Sequence, residues 1–236
     1  MATIQGSIAK LVDNSNAMFE SLGYISSNIA NYNTNSYKAQ RFETYMNPEG
    51  PIMGVERVDY TPGDLLATLR ELDVAVEGQG FIPVTGKKGE SAYIRGGSFA
   101  VNSEGYIVSR DGWLIGGGIK LPANYERLKI EPDGKVMIQD TLESAFRKIG
   151  KIPLVAFKNP EGLELAEGGL VKETDKSGKP ELLQEHLKIK QGKIEKANFD
   201  PYTFISETLK INGTILSSSR FIKVMDQMYR ESTNLR

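Results

Sequence analysis

Two stretches of seven-residue periodicity, one at each end of the chain, constrain the fold more than any other feature. From the start, Ile4, Ile8, Leu11, Ser15, Met18, Leu22, Ile25 and Ile29 follow alternating steps of four and three. That is the a/d pattern of a helix built to lie against another helix. The opposite face carries Gln, Asn and Ser, with charge only at Lys10, Asp13 and Glu20. A solvated helix ordinarily shows Glu and Lys there, so this one is expected to be surrounded by protein. Near the other end, Asp200-Pro201 reads as a helix cap followed by proline at the first helical position. Phe204, Thr208, Ile211, Ile215, Ser218, Ile222, Met225, Tyr229 and Ser232 then recur at the same spacing, and Phe221, Val224, Met228 and Leu235 widen the apolar face.

Neither helix is expected to stand alone. Isolated helices of this size are marginal in water, and each seam side chain gains roughly 1.5–3 kcal/mol only once buried. The termini must pack on each other, on neighbouring copies, or on both. Ser15, Ser218 and Gly213 predict close helix approach, because Gly213 in a helix interior costs about 1 kcal/mol against alanine.

Between the helices the pattern changes. "LDVAVEGQGFIPV" (72–84) places Leu72, Val74 and Val76 on one strand face before a Gly78-Gln79-Gly80 break. Turns are expected at Ser103-Glu104-Gly105, Asp111-Gly112, Pro132-Asp133-Gly134 and Asn159-Pro160-Glu161-Gly162. No helical period of any length occurs there. The fold class is therefore α+β: N- and C-terminal helices packing as a coiled coil, with a mainly antiparallel β domain inserted. The expected division is 1–35 with 198–236 as the helical assembly domain, 36–60 as a connector, and 61–197 as the β domain.

Composition removes several function classes. The 236 residues carry a net charge of −1, which gives no drive towards nucleic acid or anionic membrane. No apolar run approaches the ~18–20 residues of a membrane span, and the first residues lack the apolar core of a secretory signal peptide. The absence of cysteine excludes disulfides and thiolate chemistry, and the single histidine, His186, reads as a surface or strand-edge residue. Glu104 and Asp111 flank one strand but sit at turn positions where acids are common for local reasons. Gly116-Gly117-Gly118 lacks the Lys-Ser and helix start of a phosphate loop. Asn212-Gly213-Thr214 matches a glycosylation triplet but lies in the packed C-terminal helix. Trp113 is expected in hairpin packing, and the lysines of "EHLKIKQGKIEK" on a solvated β face. No catalytic, cofactor or metal residues are assigned.

The run "SSNIANYNTNSYKAQRFE" (26–43) carries the most specific signal. It resembles the N-terminal signature of the bacterial flagellar axial proteins, the rod and hook subunits, through Asn28-Ile29-Ala30-Asn31, Asn33-Thr34-Asn35, Tyr37 and Lys38. Ser36 stands where that family has glycine, so a less constrained turn or a different backbone geometry is expected. "TPGDLLATLRELDVAVEGQGFIPV", "AYIRGGSFAVNSEGYIVSRDGWLI" and "KANFDP" are similar to later family segments in the family's order. Residues 150–180 are most like the distal rod type, the short stretch 46–58 is more like the proximal type, and the length leaves no room for a hook protein's outer domain.

The resemblance implies a structural subunit of the basal-body rod. It implies a tube formed from the terminal helices that transmits torque across the periplasm, export without signal cleavage, and as partners copies of itself, other rod and hook subunits, and surrounding ring proteins. The assembly contacts it implies are Ile4, Ile8, Leu11, Met18, Leu22, Ile25 and Ile29 against Ile211, Ile215, Ile222, Met225 and Tyr229. Asn28 to Lys38 would set how the chain turns out of the helix. The residues themselves leave open a β-rich adhesin or periplasmic binding module that oligomerises through its ends, and a wall-cleaving enzyme.

Overall fold

The computed structural model describes residues 4–46, 52–183 and 188–234. Helix α1 spans Ile4–Ala30, and strands β1 (Gln40–Met46) and β2 (Ile52–Val58) follow it. Then come β3 (Leu65–Ala67), β4 (Asp73–Glu77), β5 (Ile82–Thr85), β6 (Ser91–Ile94), β7 (Gly96–Ser98), β8 (Ala100–Val101), β9 (Ile107–Val108) and β10 (Leu114–Ile115). The chain continues through β11 (Arg127–Ile130), β12 (Lys135–Gln139), β13 (Arg147–Lys151), β14 (Val155–Ala156), β15 (Glu164–Leu165), β16 (Val171–Lys172) and β17 (Glu181–Leu182). Strands β18 (Lys188–Gln191) and β19 (Lys193–Glu195) lead to α2, Pro201–Asn234.

The residues group into two compact units. One holds α1, the β1–β2 pair and α2; the other holds residues 33–38 and 60–198. Residues 40–46 and 52–58, read from sequence as connector, thus pair as antiparallel strands with Gln40 opposite Val58 and Tyr45 opposite Met53. Their aromatic residues explain the strands. Phe42 stacks on Tyr24 of α1 with ring centroids 5.5 Å apart and covers Gly54 on the neighbouring strand, so glycine leaves the space that the ring fills.

The β unit pairs its described strands antiparallel throughout. Its largest sheet runs β15-β16-β6-β5-β10-β9-β8, beside three-stranded sheets β11-β12-β13 and β18-β4-β7. One core fills it, with Val74, Val76, Ile82, Ile107, Ile115, Val136, Ile138 and Ile189 all essentially without solvent contact. Strand β4 departs from the expected one-sided alternation: Asp73, Val74, Ala75 and Val76 are all buried. It is the central strand of the β18-β4-β7 sheet, so neither edge is open, and Val74 and Val76 enter the core cluster.

Local turn chemistry follows the sequence closely. Asn102 Oδ1 accepts from the backbone N–H groups of Glu104 and Tyr106 across the β8–β9 turn. The β9–β10 turn closes by Gly112 N–H donating to Ser109 O, and the β11–β12 turn by Gly134 N–H donating to Glu131 O. Glu104 and Asp111 lie exposed on two of these turns. Trp113 packs partly buried against the core, while Gly116, Gly117 and Gly118 form a left-handed loop. His186 lies outside the described residues.

Candidate assembly site

Helix α2 begins at the expected cap. The Asp200 carboxylate accepts from the backbone N–H groups of Tyr202 (3.1 Å) and Thr203 (3.2 Å) and from the Thr203 hydroxyl (2.8 Å). The Thr203 hydroxyl, with the Tyr202 amide second, holds the Asp200 carboxyl below its usual range. From there α1 and α2 pack together through Leu22 and Ile25 on one side and Phe204 and Ile211 on the other, with Ala39 and Phe199 in the same cluster. Phe199 meets Phe204 and Tyr32 edge to face at centroid distances of 5.1 and 5.7 Å.

The seam positions separate by burial. Ile8, Leu11, Met18 and Leu22 of α1 are half-buried and Ile25 is buried, whereas Ile29 is exposed. On α2, Ile211, Ile215, Ile222 and Met225 are half-buried, Ser218 is buried, and Tyr229 is exposed. Ile4 begins α1.

A second set of apolar side chains lies in water. Ile205, Leu209, Leu216, Phe221, Val224 and Met228 of α2 are all more than half exposed, and Phe19 of α1 is 59% exposed. At about 100° per residue these α2 side chains lie a quarter turn or more from the seam. The helix is therefore apolar on both sides, the pattern of a helix covered on both sides. Gly23 and Gly213 add to this. A Cβ at either would meet nothing within 4 Å, so the close packing expected at Gly213 does not occur within this chain. Asn212 and Thr214 are exposed in the helix as well, which corrects the reading of that triplet as packed.

The asparagine-rich run resolves into a specified turn. Asn28 is fully buried, and its side chain donates to Gln40 O (2.7 Å) and accepts from Gln40 N–H (2.9 Å), imitating one rung of a β-ladder. Ala30 ends α1, and the Asn31 side chain donates back to Ser27 O, satisfying a carbonyl of the last helical turn. Asn33 and Thr34 are exposed, and Thr34 O accepts from Tyr37 N–H. Ser36 has φ +58°, alone in this region of backbone among the described non-glycine residues. Serine here adopts the left-handed conformation that glycine takes freely. Its hydroxyl is buried with no hydrogen-bond partner among the described residues.

Lys38 leads to a site that sequence spacing does not reveal. Its ammonium donates to Glu195 Oε1 (2.8 Å) and Thr61 O (2.7 Å). Arg95 donates to Glu195 Oε2 through Nε (3.0 Å) and to Oε1 through Nη2 (3.2 Å). The remaining Arg95 donors reach the carbonyls of Gly78, Gly80 and Val76. Gly63 N–H also donates to Glu195 Oε1 (2.7 Å), and a Cβ at Gly63 would strike Lys196 O. All three charged side chains are buried. The available sequence signal was slight: Lys38 and Arg95 lie in two separate signature segments, and Glu195 immediately precedes a third.

The family model of the Flagellar hook protein FlgE/F/G D1 domain matches residues 75–138. The flagellar basal-body rod protein FlgG of Caulobacter vibrioides is 29% identical over 90% of this chain and 92% of its own length. FlgG of Bacillus subtilis is 30% identical over 72% of this chain and 67% of its own length. The flagellar basal-body rod protein FlgF of Buchnera aphidicola from Schizaphis graminum is 25% identical over 73% of this chain and 71% of its own length. These matches define the class: a structural protein of the bacterial flagellum, not an enzyme. Within that class, the chain belongs to the flagellar basal-body rod protein family.

Proposed function

We propose that this rod subunit assembles through its terminal helices, as a coiled coil, into a helical axial tube that carries motor torque towards the hook. Its neighbours are copies of itself and other rod and hook subunits, within surrounding ring proteins, and it reaches the periplasm by export without signal cleavage. The distal part of the rod is its place, a reading favoured by relatives named FlgG that match over some nine-tenths of the chain.

The observation that carries the assembly reading is the set of apolar side chains left in water on α2. A leucine-sized side chain gains about 1.5–3 kcal/mol on burial, so six of them on the flanks away from the seam are a strong incentive for neighbouring helices. The expected contacts are those of the seam, Ile4 to Ile29 and Ile211 to Tyr229, with the outer set added. Repeated head-to-tail, such contacts give an open helical assembly instead of a closed ring.

Electron microscopy of the concentrated protein should show helical tubes, and Leu216→Asp should abolish them. Closed trimers of fixed size from the wild-type protein would overturn the reading.

A further inference from the structure

We propose that α2 carries both halves of one contact between neighbouring copies: an apolar patch in its C-terminal half docks on a patch in the N-terminal half of the next subunit's α2. The inference rests on the assembly reading and deepens it by giving the contact a direction and a register.

The six exposed apolar side chains of α2 do not share one side of the helix. At about 100° per residue, Ile205, Leu209 and Leu216 fall within about 40° of one another, and Phe221, Val224 and Met228 within about 60°. Leu209 and Phe221 are twelve residues apart, as are Leu216 and Met228. That spacing is about 120° round the helix and about 18 Å along it. The outer apolar side therefore changes midway along α2. Charge stays off both patches: Glu207 and Lys210 beside the first, and Lys223 and Asp226 beside the second, lie on other sides of the helix. Covering either patch thus strips no charge of its water.

A second copy of this chain fits these two patches better than any other cover. A helix lying on a lipid surface needs one continuous apolar side with cations opposite, and here the side shifts by a third of a turn. The chain cannot join the patches itself, since they sit on one helix about 18 Å apart. A twofold pair uses the same side of both helices, so it buries one patch and leaves the other in water. A head-to-tail contact between parallel copies buries both, each subunit giving one patch to the copy before it and the other to the copy after. Facing sides are half a turn apart, so patches a third of a turn apart rotate each copy by about 60° against the last. The stack curls as it grows. Three side chains a side fall far short of the roughly twenty to thirty residues of a stable pair, so the contact holds only when repeated.

The chain has no cysteine, so introduced thiols report this contact alone. The test uses two full-length double variants, Leu209→Cys with Phe221→Cys and Leu216→Cys with Met228→Cys, beside the four single variants. A disulfide needs Cα atoms within about 7 Å, so neither pair can close inside one chain. Oxidised at the concentration where the wild type forms tubes, the double variants should shift from monomer to a ladder of covalent multimers that reductant collapses. The single variants should stay monomeric. A ladder from either pair carries the inference. Monomer from both pairs overturns it, and so do products that stop at the dimer or dimers from a single variant, which mean a closed twofold contact. Wild-type tubes without any ladder leave the assembly reading intact and sink this contact alone. A wild-type protein that never forms tubes sinks the assembly reading, and the contact with it.

Discussion

The β unit and the helical unit handle apolar side chains in opposite ways. In the β unit, Ile82, Ile107, Ile115, Val136 and Ile138 are enclosed completely, and the buried charges of Lys38, Arg95 and Glu195 have partners at every oxygen. In the helical unit six apolar residues of α2, from Ile205 to Met228, stand in water, and among the described residues of that helix only Phe204 and Ser218 are buried. Two glycines in the helices have no neighbour that requires glycine. A finished interior and an unfinished one thus occur in one chain. The difference teaches where apolar surface is used up in the single molecule and where it is left over.

The contrast can be broken most severely from inside the β unit. Ile138→Ala should lower its stability by about 2–5 kcal/mol, seen as an earlier thermal transition, because the site is enclosed on all sides and cannot collapse. Leu216→Asp on α2 should leave the same transition within about 0.5 kcal/mol while abolishing tubes. Comparable losses from the two substitutions would dissolve the distinction between the units.

Smaller effects sharpen it. Ser36→Gly should stabilise the turn by about 1 kcal/mol, since glycine adopts φ near +58° without strain and removes a hydroxyl buried without a partner. A lower transition temperature for that variant would mean that serine is tolerated better than its backbone indicates. The smallest effect is at the cap of α2. The Asp200 carboxyl is held below its ordinary value in the folded chain, so its contribution is full above about pH 4 and fades as pH falls through the folded value. Asp133 and Asp140 are lowered likewise by Lys135 and Arg147 in the β unit, so acid weakens both units. Helix content of the wild type should decline as pH falls below about 4, and Asp200→Asn should flatten the part due to α2. An unchanged profile in that variant would remove the cap from the account.

What was legible in the sequence was local. The four-three spacing marked the side of each helix that is sheltered, from Ile8 to Ile25 and from Phe204 to Met225, because helical period fixes which residues share a face. Asp200-Pro201 marked the start of α2, and the Gly-containing turns marked three β turns, since each rests on neighbouring residues. What depended on distant partners was not legible. The central place of β4 in its sheet was not legible, because its ladder partner β18 lies more than a hundred residues later. Residues 40–46 and 52–58 concealed paired strands because Phe42 needs Tyr24 and Gly54 to make sense as a strand residue. The Lys38–Glu195 contact spans 157 positions and has no local signature. Phe221, Val224 and Met228 were read as a broader seam, and only the packing of α2 showed them exposed, together with Ile205, Leu209 and Leu216.

The hydrogen bonds from Ser36 N–H to Glu195 O and from Asn198 N–H to Tyr37 O have a further consequence. They place the first and last turns of the β unit side by side, so the chain arrives and departs at one doorway. A module with such a doorway can gain or lose loops and strands in its interior while the spacing at the threshold stays constant. Elaboration of the outer surface is thereby separated from the helices at the chain's ends. A lineage is free to enlarge the one without redesigning the other.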